Sequence, residues 1–191
     1  MSLEFNRRSF LKYSAAAAVA VAGSSLLVGC GEDEYQKTGK IGSTLKLMGT
    51  FRMYDNPAPT FALDTGSTTN GTFTCKLNIK CTTKKVPLYV AAGCFQLTVI
   101  HDGKKTNYAD SGYVTVDKPN FKLAEKDDAE DFTITVKGNA SNPLNIVAGD
   151  KVEFMYWPRI QASSGNSGYT SAFCTWKMTA NVDKSGAVTF K

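Results

Sequence analysis

The stretch Phe73-Thr74-Cys75-Lys76-Leu77-Asn78-Ile79-Lys80-Cys81 alternates apolar and polar residues without a slip. Successive side chains of an extended chain point to opposite faces. The pattern predicts one strand that buries Phe73, Cys75, Leu77, Ile79 and Cys81 and turns Thr74, Lys76, Asn78 and Lys80 outward. The same period of two recurs further along. Val152, Phe154 and Tyr156 share a face of Lys151–Trp157, and Phe132, Ile134 and Val136 share a face of Phe132–Lys137. In Ala172–Val182 the inward set is Ala172, Cys174, Trp176, Met178 and Ala180.

Working outward, further strands are predicted at Thr44–Tyr54, Val86–Val90, Cys94–His101, Tyr113–Val116, Phe121–Leu123 and Ala187–Phe190. Turn chemistry separates the runs at Asn70-Gly71, Asp102-Gly103, Ser111-Gly112, Gly138-Asn139, Gly149-Asp150 and Lys184-Ser185-Gly186. After residue 42 the helical period is limited to a short candidate insertion near Ala124–Ala129. About nine or ten short strands predict an all-β chain, a single β-sandwich over residues 43–191, with an open barrel as the second choice. The sandwich is expected to be broadly immunoglobulin-like, an analogy of architecture that carries no function.

Composition agrees. The chain has 191 residues, 42% hydrophobic and 20% charged, which suits one globular domain and excludes disorder, collagen and coiled coil. One long apolar run exists, Ala15 to Val28 near the N-terminus. It falls short of the roughly 20 residues a helix needs to cross a bilayer, so a multi-span membrane protein is excluded too. The formal charge of +5 falls to about +3 without Arg7, Arg8, Lys12 and Glu4 of the leader. That is too weak and too scattered for a nucleic-acid partner.

The leader is the most specific stretch. Asn6-Arg7-Arg8-Ser9-Phe10-Leu11-Lys12 precedes the apolar run, and Leu27-Val28-Gly29-Cys30 ends it. A basic segment, an apolar segment and small residues before a cut make an export signal. Arg7 and Arg8 with Phe10 and Leu11 resemble the twin-arginine signal. The Leu27–Cys30 ending resembles a bacterial lipobox. Together they resemble the signal of a twin-arginine lipoprotein. The resemblance implies that residues 1–29 are removed and that Cys30 is acylated and becomes the mature N-terminus. It places the protein on the outer face of the cytoplasmic membrane, or in the periplasm or outer membrane of a two-membrane envelope. Two or three acyl chains anchor stably where one does not. Residues 30–42, polar with several glycines, are expected to be a flexible tether.

Four cysteines remain: Cys75, Cys81, Cys94 and Cys174. An even number outside the cytoplasm predicts disulfides. Cys75–Cys81 is excluded, because six strand residues span about 20 Å against a Cα limit near 7 Å. Of the two remaining connectivities, Cys81–Cys94 with Cys75–Cys174 is favoured, the latter an inter-sheet pair beside Trp176. Metal binding by these cysteines is not expected, since the spacing matches neither a zinc nor an iron–sulfur site. A blue-copper site would need two histidines, and His101 is the sole one. No dinucleotide, haem or phosphate-loop fingerprint is present, so no cofactor is expected.

Three places hold the remaining candidates. His101 precedes the turn Asp102-Gly103 and reads as an exposed strand-end histidine; a catalytic base would need a nucleophile and an orienting carboxylate. Glu125-Lys126-Asp127-Asp128-Ala129-Glu130-Asp131 is the densest acidic run, read as a solvated loop, with calcium as the sharper alternative. Trp157, Arg159 and Tyr169 flank the long loop from Pro158 to Thr170 and could form a stacking or carbohydrate-like surface. The expected function is a membrane-anchored, non-enzymatic binding or interaction module. Its partners are the membrane through Cys30 and a protein or glycan of unknown identity. The alternative is an accessory subunit of an extracytoplasmic redox complex. It rests on the export route, since twin-arginine passengers travel folded and many carry redox cofactors.

Overall fold

The Phe73–Cys81 alternation becomes the spine of the domain. A computed structural model describes residues 35–161, 167–169 and 172–191. Its strands in chain order are β1 (Gln36–Gly39), β2 (Thr44–Lys46), β3 (Gly49–Met53), β4 (Thr60–Leu63), β5 (Gly71–Cys81), β6 (Leu88–Val90), β7 (Phe95–His101), β8 (Lys104–Ala109), β9 (Val114–Val116), β10 (Phe121–Leu123), β11 (Ala129–Lys137), β12 (Lys151–Tyr156), β13 (Arg159–Gln161), β14 (Ser167–Tyr169), β15 (Phe173–Val182) and β16 (Val188–Phe190). A 3-10 turn, Ala92–Cys94, leads into β7. The fold is an all-β sandwich.

β5 pairs along one side with β11, from Gly71's neighbour Thr72 opposite Lys137 to Lys80 opposite Ala129. Its other side takes β3 at one end and β4 at the other. β9 adds to β11, and β2 adds to β3. The facing layer runs β8-β7-β12-β15, with β1 added in parallel to β15. Aromatic rings meet between the layers: Phe73 lies 6.0 Å from Phe154, and Phe51 packs edge-on against Tyr156 at 4.9 Å. Phe95 stacks on both Phe154 and Tyr156. β15 changes layers along its length. It pairs with β12 up to Thr179, then with β16 from Ala180, and β16 touches β4. The two layers are thus hydrogen-bonded at one corner, where strands that switch sheets are the usual device.

Several expectations need correction. The segment 30–42 is not all tether, because Gln36–Gly39 pairs with Phe173–Trp176. Its polar side chains resemble a linker, but its backbone has a partner. Trp176 Nε1 also donates to the Ser43 carbonyl at 3.1 Å, which ties the entry segment to the core. The Thr44–Tyr54 run is a hairpin broken at Leu47-Met48, not one strand. The insertion near Ala124–Ala129 is a turn in which Asp128 Oδ2 accepts from the Glu125 and Ala124 amides. β4, β8, β13 and β14 were not expected.

Candidate functional site

A smaller sheet, β10-β6-β13-β14, stands beside the main one. Its inner face closes the core: Leu88, Val90 and Leu123 are buried, and Phe121 packs edge-on against Phe132. Period two sends the intervening positions outward. Lys122 is opposite Tyr89, Tyr89 is opposite Arg159, and Arg159 is opposite Tyr169. The four backbone positions form one row across the four strands, and of their side chains those of Lys122 and Tyr89 are described. Lys122 Nζ lies 5.7 Å above the Tyr89 ring, within cation–π range. Among the described residues, no carboxylate forms an ion pair with Lys122.

This row changes the expected surface of Trp157, Arg159 and Tyr169. The backbones of Arg159 and Tyr169 are register partners, and their side chains lie outside the described ones. Trp157 is not with them: it is only 7% exposed, and its amide donates to the Cys94 carbonyl at 2.7 Å. Alternation misplaced it because β12 ends at Tyr156. Beyond that residue the chain leaves the sheet, and Met155, Tyr156 and Trp157 are all buried in succession. Tyr89 and Lys122 take its place. No local pattern flags them, because they meet only through pairing of β6 with β10, some thirty residues further along.

The cysteines also depart from expectation. No disulfide joins the four cysteines, so neither Cys81–Cys94 nor Cys75–Cys174 is bonded in the structure. Tyr156, register partner of Cys174, packs on Phe51, and Phe51 is opposite Ile79. Cys174 therefore sits at the Ile79–Cys81 end of β5, away from Cys75. Cys81 Sγ donates to the Thr83 carbonyl at 2.9 Å, and Cys94 Sγ to that of Tyr89 at 3.5 Å. Cys94, Cys174 and Cys81 all bear on the buried Tyr156 hydroxyl, which itself lacks a hydrogen-bond partner. Burial pushes the Cys75 thiol well up and the Cys174 thiol up to about 12. Such thiols are poor nucleophiles, since the thiolate is the reactive form.

His101 ends β7 at the turn where Asp102 and Gly103 both take positive φ, 47° and 80°. That is the type I′ geometry that Asp-Gly favours. Its Nδ1 lies 2.7 Å from Asp150 Oδ1, whose other oxygen accepts from the Val147 amide at 2.9 Å. The Asp150 side chain is 5% exposed and the His101 ring 61%. The hydrogen bond and charge of Asp150, then the charge of Asp102, hold the imidazole pKa above 6.5. Beside them lies an open cleft of about 240 Å³ that also meets Lys104, Thr106 and Tyr108. The Tyr108 hydroxyl donates to the Pro143 carbonyl, so it is already committed. The pair clasps the β7–β8 hairpin to the Val147–Asp150 turn. The Asp150 partner was hidden in a sequence stretch that reads only as a turn.

The acidic run does not converge on a point. Asp127 pairs with Lys80 at 2.9 Å, Glu125 with Lys84 at 3.5 Å, and Glu130 with Lys118. Asp131 accepts from Tyr54 Oη and Asn78 Nδ2 at 2.8 and 2.7 Å. Among the described residues, no group of three or more acidic, histidine or cysteine side chains is placed to hold a metal.

Comparison with known proteins adds two similarities. A crystal structure of an uncharacterized β-sandwich protein from Clostridium difficile 630 aligns over 79% of this chain and 99% of its own, at 12% identity and a TM-score of 0.41. No curated protein matches the chain. The family model of the TAT (twin-arginine translocation) pathway signal sequence matches residues 4–24, which include Arg7, Arg8, Phe10 and Leu11. The leader is a twin-arginine signal, and it directs export across the cytoplasmic membrane.

Proposed function

We propose that the mature protein is a non-enzymatic binding module, held at the outer membrane surface through lipidated Cys30, that presents the outer face of β10-β6-β13-β14. The observation that carries this reading is the outward pair Lys122 and Tyr89, with the backbones of Arg159 and Tyr169 next in register. Tyrosine and arginine are the residues that most often anchor recognition surfaces. The main sandwich offers a scaffold for such a face. Its order β3-β5-β11-β9 against β15-β12-β7-β8 supports the immunoglobulin-like analogy, being that of strands A-B-E-D against G-F-C-C′. Anchoring is supported by Leu27-Val28-Gly29-Cys30 directly behind the export signal.

Two measurements test the reading. Cys30→Ala is expected to move the protein from the membrane fraction to the soluble exported fraction. A photo-crosslinking residue at position 122 is expected to give adducts on intact cells that the same residue at position 104, in the His101 cleft, does not. Adducts at 104 alone would refute the assignment of the face. The accessory redox-subunit alternative draws support from the export route alone. The upward shifts of Cys75 and Cys174 weigh against these thiols as its electron carriers.

A further inference from the structure

Resting on the lipidated Cys30 of that reading, we propose that one end of the sandwich, the end of Tyr35, Phe173 and the β5–β6 turn, sits against the headgroups of the membrane that holds the anchor. The β15–β16 turn then points away from it. The domain begins earlier than its polar entry segment suggests. The Phe173 amide donates to the Tyr35 carbonyl at 2.9 Å, and Gln36–Gly39 then runs along β15 from Phe173 to Trp176. The link from Cys30 to the sheet therefore ends at Tyr35. A chain from position 30 to position 35 reaches about 18 Å when fully extended. From Phe173 to Val182, β15 alone is about 30 Å long. The link is shorter than the domain, so the turn at residues 183–186 cannot be brought to the bilayer with Tyr35 pointing away.

The register brings the ends of both layers together here. Cys174, next to Phe173, is opposite Tyr156, whose ring meets Phe51. Lys46, Thr50 and Lys80 make the next row beyond Leu45, Phe51 and Ile79, toward Cys81. The small sheet stands at the same end, since Arg159, three residues past Tyr156, is opposite Tyr89. Tyr35 is 55% exposed where the chain leaves the domain. An aromatic ring with a polar tip suits the boundary between headgroups and water. Lys46, Lys85 and Lys122 are exposed at this end and form no ion pair among the described residues, whereas Lys80 and Lys84 are paired with acids. The three unpaired lysines equal in number Glu32, Asp33 and Glu34 of the link. Their charge offsets the repulsion that the acidic link would meet at an anionic surface.

The test uses the full acylated protein in vesicles of phosphatidylethanolamine and phosphatidylglycerol, with a nitroxide quencher on a fraction of the headgroups. A fluorophore is attached under native conditions through Lys85→Cys or, in a second protein, through Lys184→Cys. Both positions are exposed, and the four cysteines of the domain are buried. Quenching is expected to be several-fold stronger at position 85 than at position 184. Equal quenching at both positions would mean that the domain lies along the membrane, and it would overturn the proposal. Weak quenching at both, in protein that still floats with the vesicles, would mean a domain held clear of the bilayer. That result would overturn the docked end and leave the Cys30 anchor standing. Protein that does not float with the vesicles would remove the anchor and this placement with it.

Discussion

The outer faces of β5 and of β6 make opposite use of similar residues. On β5 and its neighbours the outward polar groups engage one another. Asn78 and Tyr54 both donate to Asp131, Lys80 meets Asp127, and Arg52 meets Asp55. On β6 the outward Tyr89 lies under a lysine, and the row continues to an arginine and a second tyrosine position. Both strands bury their inner faces equally well: Leu77 and Ile79 on one, Leu88 and Val90 on the other. The difference lies in what remains outside. A surface whose charges are internally matched gains little from a partner, while a lysine that meets no carboxylate among the described residues can gain from one. Stability should depend on the first region's interior, and recognition on the second region's exterior.

The largest break in that comparison should come from Phe73→Ala. Phe73 is fully buried and contacts Phe154 across the layers and Phe190 at the corner where β16 joins them. Its truncation is expected to cost about 3–5 kcal/mol in urea unfolding. A loss below about 1 kcal/mol would mean that β5 is not the spine.

A smaller effect of opposite sign is expected from Tyr156→Phe. The Tyr156 hydroxyl is buried without a hydrogen-bond partner and burial pushes its pKa well above 10. Removing it should stabilise the fold by about 1 kcal/mol, because a buried unsatisfied polar group carries a desolvation penalty. Destabilisation by the same amount would show that the hydroxyl has a partner among the surrounding thiols. Ellman titration separates the thiol state directly. Reaction should be slow in the native protein and should yield all four thiols of the domain in denaturant.

Much of this was legible locally, and the reason is burial. β5, β11, β12 and β15 each put one face on the core, so their period of two is written in residue type. β8 was not legible. Its sequence Lys104-Lys105-Thr106-Asn107-Tyr108-Ala109 buries only Tyr108, as befits an edge strand that charge protects from further pairing. β1 was missed for the same reason: its membership rests on backbone pairing, which polar side chains do not advertise. The binding row was half legible. Arg159 and Tyr169 flank one loop, so proximity in sequence suggested them, whereas Tyr89 and Lys122 join only through register. The cysteine arrangement was not legible, because an even cysteine count and an oxidising compartment say nothing about which level of the core each thiol occupies.

Tyr89→Ala should sharpen the comparison from the other side. It removes an outward ring, and its stability cost is expected to stay within about 0.5 kcal/mol, as for surface substitutions away from core or caps. A cost approaching that of Phe73→Ala would make the small sheet's outer face a structural element and remove it as a recognition surface.

The smallest expected effect is a pH dependence confined to the His101–Asp150 clasp. His101 is the only histidine, so one imidazole resonance reports it. Asp150 raises its folded pKa above the ordinary 6.5. A group raised in the folded state contributes stability that is complete below its unfolded pKa and is lost as pH rises through the folded value. The urea midpoint should therefore fall slightly as pH rises from just below 6.5 to above the folded pKa, and the decline should vanish in His101→Gln. Asp150→Asn keeps an acceptor for the Val147 amide but removes the charge, so the resonance should titrate at a lower pH than in the parent. The effect stays small because the ring is 61% exposed and solvent screens the pair. An imidazole that titrates at the same pH in both proteins would show that the clasp opens in solution, which would free His101 and widen the cleft beside it.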